Sequence, residues 1–132
     1  MTLREVLHAH IPTLTMQSSF RDAVDKMDIY QFPALVVVDE EKRPTHVVTE
    51  GDLCRGVHRA DSVVSLSNDF AYRLGSADPQ TASVDTEIGD AFHHMLNSGL
   101  TILPVEQDGM LVGIVLRVDL MQAMLMDRHD SA

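Results

Sequence analysis

An internal repeat limits the possible folds of this chain more than any other feature of its sequence. Residues 47–53 read VVTEGDL and residues 114–120 read IVLRVDL, so an apolar pair, three variable residues and Asp-Leu occur twice. The two aspartates, Asp52 and Asp119, lie 67 positions apart (119 − 52) in a chain of 132 residues. A half of this length buries too little apolar surface to be stable alone, so we expect the halves to fold as one module.

A helical pattern upstream of each aspartate repeats with nearly the same period. Residues 18–27 read SSFRDAVDKM and residues 85–95 read DTEIGDAFHHM. Three identities recur at an offset of 68, namely Asp22, Ala23 and Met27 in the first half and Asp90, Ala91 and Met95 in the second. The apolar residues stand three and four apart, which is typical of an amphipathic helix, and a serine is available to cap the first one.

Two β-branched runs follow this helix in each half and predict two strands joined by a turn. The runs are 34–39 and 45–49 in the first half, and 102–106 and 111–116 in the second. A second helix is expected after each repeated aspartate, from Leu53 to about Arg59 and from Leu120 to about Met126. Each half also opens with a short helical turn, at residues 3–7 and 70–74. The predicted order places two helices on one face of a small sheet in each half.

The charge balance excludes several classes of function. Ten Lys and Arg against twenty Asp and Glu give a net charge of −10, which repels nucleic-acid phosphates and anionic lipid headgroups. Direct nucleic-acid binding is therefore not expected. No apolar run approaches the roughly 20 residues of a membrane span and no leader segment is recognisable, so a cytoplasmic protein without membrane contact is expected. The single cysteine, Cys54, excludes an internal disulfide and predicts a packed thiol on a helix.

The repeat resembles two cystathionine-β-synthase (CBS) domains in tandem, the pair called a Bateman module. The resemblance rests on the runs VVVDEEKRPTHVVTEGDL at 36–53 and LPVEQDGMLVGIVLRVDL at 103–120. The second half carries the family's Pro-Val, Asp-Gly, Val-Gly-Ile-Val and Asp-Leu elements in order. The first half departs from the pattern, with Val37 at the proline position and His46 at the glycine position.

The resemblance implies an α/β fold of two CBS repeats related by a pseudo-twofold axis, with small sheets packed face to face and flanking helices. On the sequence, residues 1–60 form the first repeat, 61–69 a connector, 70–127 the second repeat and 128–132 a tail, as one folded module. Such modules usually pair, so a homodimer is expected. The methionines of the last helix fit either the core or that dimer interface, and they are Met121, Met124 and Met126.

The resemblance also implies a regulatory sensor that binds an adenine nucleotide or a related adenosyl compound in the cleft between repeats and adjusts a separate, unknown effector protein. AMP, ADP, ATP and S-adenosylmethionine are the candidate ligands. The family's motif is a strand ending in Ser or Thr, two variable residues and Asp, and Thr49 with Asp52 matches it. Asp119 keeps only the carboxylate and is a weaker second site, so about one ligand per chain is expected. Because Ser/Thr-x-x-Asp is also a helix-capping pattern, capping and ligand binding both stay open.

The remaining candidate residues come from the family's geometry. Arg117, next to a helix start, is expected to meet the ligand's phosphate, with a solvated arginine as the alternative. Adenine is expected against Leu14, Ala34 and Leu35, for which ordinary core packing is the alternative. His46 could stack on the base or block the cleft, and the sequence does not decide between these.

No catalytic or metal-binding pattern accompanies these residues. The pairs His8/His10 and His93/His94 supply too few ligands for a metal site. A nucleophile elbow, a glycine-rich phosphate loop and an H-E-x-x-H motif are all missing from the sequence. We therefore expect a non-enzyme with no metal and no catalytic cofactor. The alternative to a sensor is a structural dimerisation module that has lost ligand binding.

Overall fold

The computed structural model describes residues 1–126, which form five α-helices, seven β-strands and two short 3-10 helices. The tail predicted at 128–132 lies outside the described residues. The chain divides into two compact units. The first unit is Pro12–Pro79, and the second unit combines Met1–Ile11 with the chain from Gln80 onward.

The first unit contains a four-stranded sheet and three helices. Its elements are β1 (Thr13–Thr15), α1 (Phe20–Tyr30), β2 (Ala34–Val38), β3 (Pro44–Thr49), α2 (Glu50–Arg59), α3 (Val63–Leu66) and β4 (Ser76–Ala77). The strand order is β1-β2-β3-β4, in which β1 is parallel to β2 and the other neighbours are antiparallel. The predicted order of helix, strand, turn, strand and helix is confirmed in this half.

The second unit repeats the arrangement with a three-stranded sheet. Its elements are β5 (Ala82–Ser83), α4 (Ile88–Ser98), β6 (Ile102–Gln107), β7 (Met110–Leu116) and α5 (Arg117–Met126). β5 runs parallel to β6, and β6 and β7 form an antiparallel hairpin. Asp108 and Gly109 at the hairpin turn both have positive φ, 55° and 81°, as the predicted Asp-Gly turn requires.

Two of the predicted helix starts are wrong by three residues. α2 begins at Glu50 and α5 at Arg117, whereas the sequence placed the starts at Leu53 and Leu120. The helices begin earlier because each follows its strand without an intervening loop, with Thr49 serving as the last residue of β3 and the N-cap of α2. None of the helices within residues 1–126 is both long enough and apolar enough to span a membrane.

Each short 3-10 helix lies in the unit formed by the other half of the sequence. Leu3–Glu5 belongs to the second unit, where Leu3 is fully buried in the core. Ala71–Leu74 belongs to the first unit, where Ala71 is fully buried in the core. The compact units therefore exchange the opening segments of the two sequence repeats.

Strand pairing accounts for this exchange. β4, which follows the 3-10 helix of the second half, adds antiparallel to β3 of the first half. In the second unit His8 forms the equivalent antiparallel bridge with Ile114 of β7. Each opening segment thus pairs with polar backbone groups that a free strand edge would expose. The boundaries 1–60 and 70–127 follow the sequence repeat and not these units.

The core of each unit lies between its sheet and its helices. Alternate side chains of the central strands point into it, Leu35 and Val37 from β2, and Leu103 and Val105 from β6. Cys54 is exposed, so the prediction of a packed thiol is wrong. Its neighbour Leu53 lies on the buried face of α2. Because successive helix residues are rotated by about 100°, Cys54 lies outside that face.

Candidate functional site

The first strand-to-helix corner joins β3 to α2 through a reciprocal capping box. The Asp52 backbone N–H donates to Thr49 Oγ1 at 3.0 Å, and the Thr49 backbone N–H donates to Asp52 Oδ2 at 2.9 Å. Both residues therefore satisfy backbone donors at the helix start. The capping interpretation of Thr49 and Asp52 is confirmed, and ligand binding would have to use what capping leaves free.

Capping leaves part of the corner's hydrogen-bonding capacity available. Asp52 Oδ1 accepts from Arg55 at 2.6 Å, and the Asp52 side chain is 13% exposed while that of Arg55 is 58% exposed. An ionised carboxylate offers about four acceptor positions, so one bond on each oxygen does not fill it. The Thr49 hydroxyl acts as an acceptor in the box, and its own proton stays available for donation.

The second corner, between β7 and α5, keeps half of this arrangement. Leu116 stands in place of the threonine and has no hydroxyl to cap the helix. Asp119 Oδ2 still accepts from the Leu116 backbone N–H at 2.8 Å. The same oxygen lies 2.8 Å from His8 Nε2, the distance of a hydrogen bond from the imidazole to the carboxylate. The second carboxylate is therefore engaged by a residue of the opening segment.

The sequence interpretation rejected His8 as a metal ligand and expected a solvent-facing histidine, so it missed the pairing of His8 with Asp119. The two residues are 111 positions apart, and only the exchanged opening segment brings them together. His8 and Ser76 are offset by 68 (76 − 8), the period of the helical repeat, and Ser76 pairs with Val47 of β3. The repeat therefore relates the two positions, but the pairing that places His8 beside β7 is known only from the structure.

The residues predicted to contact adenine separate into two groups. Ala34 is the register partner of Thr49 in the β2–β3 ladder, so it lies beside the first corner. Leu35 and Leu14 belong to the core of the first unit and are 2% and 0% exposed. Because successive strand residues face opposite sides of a sheet, Ala34 and Leu35 point away from each other. The structure places Ala34 beside the corner and the two leucines in the core of the first unit, and Ala34 is also buried, at 1% exposure.

His46 takes part in the packing of the first sheet. Its ring lies 5.3 Å from the ring of Tyr72 between centroids, tilted by 57°, and its Nδ1 is 3.1 Å from Thr45 Oγ1. Its register partner on β4 is Ala77. The imidazole therefore contacts the segment that pairs with β3.

A glycine exchange explains why the family's glycine is absent at position 46. In the second unit Gly113 lies on β7, and a Cβ there would collide with the His8 carbonyl oxygen of the opening segment. In the first unit the glycine is on the pairing segment instead, at Gly75, where a Cβ would lie 2.5 Å from the Val47 carbonyl oxygen. Where the opening segment approaches the strand closely, one of the two must have a glycine. In the second unit this glycine is on the strand, and in the first unit it is on the segment. The departure at His46 is thus compensated by Gly75.

Arg117 is the first residue of α5 and is exposed. Its guanidinium makes no hydrogen bond or ion pair with any residue of the described range 1–126. That environment is compatible both with a solvated arginine and with one that meets an anion. Its predicted role at the phosphate stays a prediction.

A polar cavity of about 480 Å³ extends from Asp52 along α2 in the first unit. Three arginines line it, Arg55 and Arg59 from α2 and Arg73 from the 3-10 helix, and we call it the arginine pocket. The rest of its wall is formed by Asp52, Gly56, Ala60, Asp61, Ser62, Ser65, Leu66, Asp69 and Leu74. Sequence reasoning missed this cavity, although Arg55 and Arg59 are four residues apart and so lie on one face of a helix.

The histidines form no metal site in the part of the chain that the structure describes. No group of three or more His, Cys, Asp or Glu side chains within residues 1–126 could hold a metal ion. His94 Nε2 on α4 is buried without a hydrogen-bond partner among those residues. A single nitrogen of this kind is not a coordination site.

Sequence comparison finds relatives of this chain. The pattern of the CBS domain matches residues 3–59 and again residues 71–126. An uncharacterised 17.7 kDa protein from the bps2 3′ region of Acidianus ambivalens is 30% identical over 105 residues. The aligned part covers 79% of this chain but only 61% of that protein's length.

Structure comparison finds the same fold in solved proteins. The crystal structure of CBSX2 in complex with AMP matches with a TM-score of 0.82 and 22% identity, covering 95% of this chain and 96% of that chain. The CBS-domain containing protein ATU1752 from Agrobacterium tumefaciens matches with a TM-score of 0.82 and 18% identity, covering 94% of this chain and 99% of that chain. At these identities the likeness establishes the fold.

Proposed function

Since the chain belongs to the CBS domain family and carries two copies of the domain, we propose that it is a regulatory, non-catalytic module that binds an adenine nucleotide or a related adenosyl compound. The observation that carries this proposal is the first corner. Thr49 and Asp52 stand together there, and each keeps hydrogen-bonding capacity after capping α2. The AMP complex of CBSX2 supports the choice of ligand class.

A ribose suits the chemistry of this corner. Its two adjacent hydroxyls are donors, and a carboxylate such as Asp52 can accept from both in charge-assisted hydrogen bonds, which are about twice as strong as neutral ones. The Thr49 hydroxyl has a proton to donate to the ligand. AMP, ADP, ATP and S-adenosylmethionine all carry this ribose, so all four are candidates.

We expect one ligand per chain because the two corners differ. The second corner has Leu116 in place of a hydroxyl, and its Asp119 carboxylate is hydrogen-bonded to His8. A ligand at Asp119 would have to compete with that imidazole and would find no side-chain donor at position 116. The first corner presents the hydroxyl and the carboxylate together.

Isothermal titration of the wild type and three aspartate variants tests the proposal. Asp52→Ala is expected to weaken binding by about 1 to 3 kcal/mol, the value of a lost charged hydrogen bond. Asp119→Ala is expected to change binding little. Asp22→Ala is the matched control, because Asp22 closes an equivalent capping box with Ser19 at the start of α1.

The control separates binding from folding. Asp22→Ala and Asp52→Ala should each lower the free energy of unfolding by about 1 kcal/mol without ligand, since each removes a capping interaction. Only Asp52→Ala should also weaken binding. Two equal sites per chain, or Asp119→Ala as the most damaging change, would show that the working corner is the second one.

One observation favours a second function, a structural dimerisation module. Arg55 donates to Asp52 at 2.6 Å, so the charge of the Asp52 carboxylate is already balanced without a ligand. If none of the four candidate ligands raises the melting temperature at saturating concentration, the sensor proposal fails and this alternative is preferred, because a bound ligand stabilises the folded state.

We also propose that the chain forms a homodimer through its outer helices. A groove of about 450 Å³ lies between α1 and α2 in the first unit, and one of about 760 Å³ lies between α4 and α5 in the second. Exposed apolar side chains border both, Val24 and Val57 in the first unit and Met121 and Leu125 in the second. A second copy of the chain would remove these side chains from water.

A further inference from the structure

The arginine pocket brings three arginines together in a chain that is acidic overall. The whole sequence contains ten Lys and Arg for a net charge of −10, and three of those ten line this one cavity. They come from two separate elements, α2 and the 3-10 helix Ala71–Leu74. Ser62 and Ser65 line the same wall. Guanidinium and hydroxyl groups are donors that suit phosphate oxygens.

The three arginine side chains make different contacts with the rest of the first unit. Arg55 donates to Asp52 at 2.6 Å. Arg73 is positioned by aromatic contacts, with its guanidinium carbon 5.3 Å from the Phe70 ring centre and 5.9 Å from that of Tyr72. Arg59 makes no hydrogen bond or ion pair within the described part of the chain. The pocket therefore contains one oriented cation and one without an acidic partner.

Asp52 lines one end of the same cavity and connects it with the proposed ribose site. Arg55 both pairs with Asp52 and lines the pocket. An anion in the pocket can take Arg55 from Asp52, which frees Asp52 Oδ1 to accept a ribose hydroxyl. One ligand that carries a hydroxylated ribose and a phosphate would thus satisfy both groups at once.

From these contacts we infer that the arginine pocket, and not Arg117, holds the phosphate of the ligand, with Arg59 and Arg73 as its direct partners and Arg55 moving to it from Asp52. The inference rests on the proposed function and narrows the ligand class to phosphorylated adenosines. The cavity of about 480 Å³ lies within the range of small-ligand sites. Three aspartates, Asp52, Asp61 and Asp69, line the pocket with the three arginines, so its formal charges balance and it suits one phosphate group better than three.

Comparison of AMP with adenosine tests this inference. The wild type is expected to bind AMP more tightly than adenosine, and Arg59→Ala is expected to weaken AMP binding by about tenfold, the scale of one charged hydrogen bond. Adenosine binding should be unchanged, which also reports that the variant is folded. Arg21→Ala is the matched control, because Arg21 is an exposed arginine of the same unit that pairs only with Asp25 in the described structure.

The outcomes distinguish this inference from the proposed function. If Arg59→Ala leaves the AMP-to-adenosine ratio unchanged while Arg117→Glu lowers it, the phosphate lies at Arg117, which overturns the inference while the proposed function stands. If neither AMP nor adenosine binds but inorganic phosphate binds in an Arg59-dependent way, the pocket is an anion site and the proposed function fails. If none of the three binds the wild type, both fail.

Discussion

Asp22 and Asp52 close the same kind of capping box, one at the start of α1 and the other at the start of α2. The local sequence of serine or threonine, two residues and aspartate is sufficient to form the box in both places. Their surroundings differ, because Asp52 lines the arginine pocket and pairs with Arg55, whereas Asp22 is exposed. At the scale of the residue, the motif predicts a helix cap, and a binding role depends on the neighbouring elements.

The capping carboxylate of Asp22 should make stability depend on pH. The hydrogen bond from the Ser19 backbone N–H, followed by that with the Ser19 side chain, lowers the pKa of Asp22 below its ordinary value of 3.8. A lowered folded-state pKa stabilises the fold above pH 3.8, and the contribution is lost as the pH falls through the folded-state pKa. The destabilisation caused by Asp22→Ala should therefore be complete at neutral pH and shrink in acid. Urea unfolding of the wild type and Asp22→Ala, at neutral pH and in acid below the folded-state pKa of Asp22, measures this destabilisation. If the difference between the two proteins is the same in acid as at neutral pH, the capping carboxylate does not cause it.

The opening segments close the sheets at the scale of the secondary-structure element. In each unit such a segment approaches the last long strand so closely that one partner must be glycine, Gly75 in the first unit and Gly113 in the second. In the second unit the glycine is on the strand, as in the family pattern. In the first unit the glycine is on the pairing segment, so the strand can carry His46. The closure of the sheet thus explains a substitution that the family pattern alone leaves unexplained.

A side chain at either glycine should be costly. Gly75→Ala puts a Cβ 2.5 Å from the Val47 carbonyl oxygen, and backbone on both sides leaves little room to relax. We expect a loss of about 1 to 3 kcal/mol in the free energy of unfolding, as for other overpacked sites. Gly89→Ala on α4 is the control, because nothing lies within 4 Å of its Cβ and alanine favours a helix. Thermal unfolding should rank Gly89→Ala at or above the wild type, and equal losses for both variants would refute the close-approach explanation.

At the scale of the whole molecule, each unit has an apolar groove between two of its helices within residues 1–126. The helix pairs that border them, α1 with α2 and α4 with α5, are equivalent in the two sequence repeats. The methionines predicted for core or interface divide accordingly, since Met124 packs against the core of the second unit while Met121 and Met126 are exposed.

Dimerisation should depend on the groove between α1 and α2. Light scattering of the wild type should give about twice 14.6 kDa. Val57→Asp is expected to shift the mass toward the monomer, because it places a charge in the apolar groove. Val64→Asp is the control, since Val64 is 79% exposed on α3 and lines neither groove. A monomeric wild type, or equal effects of the two variants, would contradict the proposed interface.

The order of elements could be predicted from the sequence alone because hydrophobic periodicity and turn residues act locally. The amphipathic helices, the two hairpins, the Asp108-Gly109 turn and the Ser19 cap follow from patterns a few residues long. The repeat also placed Asp52 and Asp119 at equivalent corners. The capping box at Thr49 was readable for the same reason, since all its hydrogen bonds span three residues.

Only the tertiary structure decided which segments share a unit, and hence which residues meet at the corners. The bond between His8 and Asp119, the replacement of the family glycine by Gly75 and the convergence of Arg59 and Arg73 all join elements that are distant in sequence or separated by a connector. Such contacts depend on strand pairing and burial, in which each partner is selected by shape and by the satisfaction of backbone hydrogen bonds. The repeat period identifies equivalent positions in the two halves, but the pairing of the opening segments is determined by the fold.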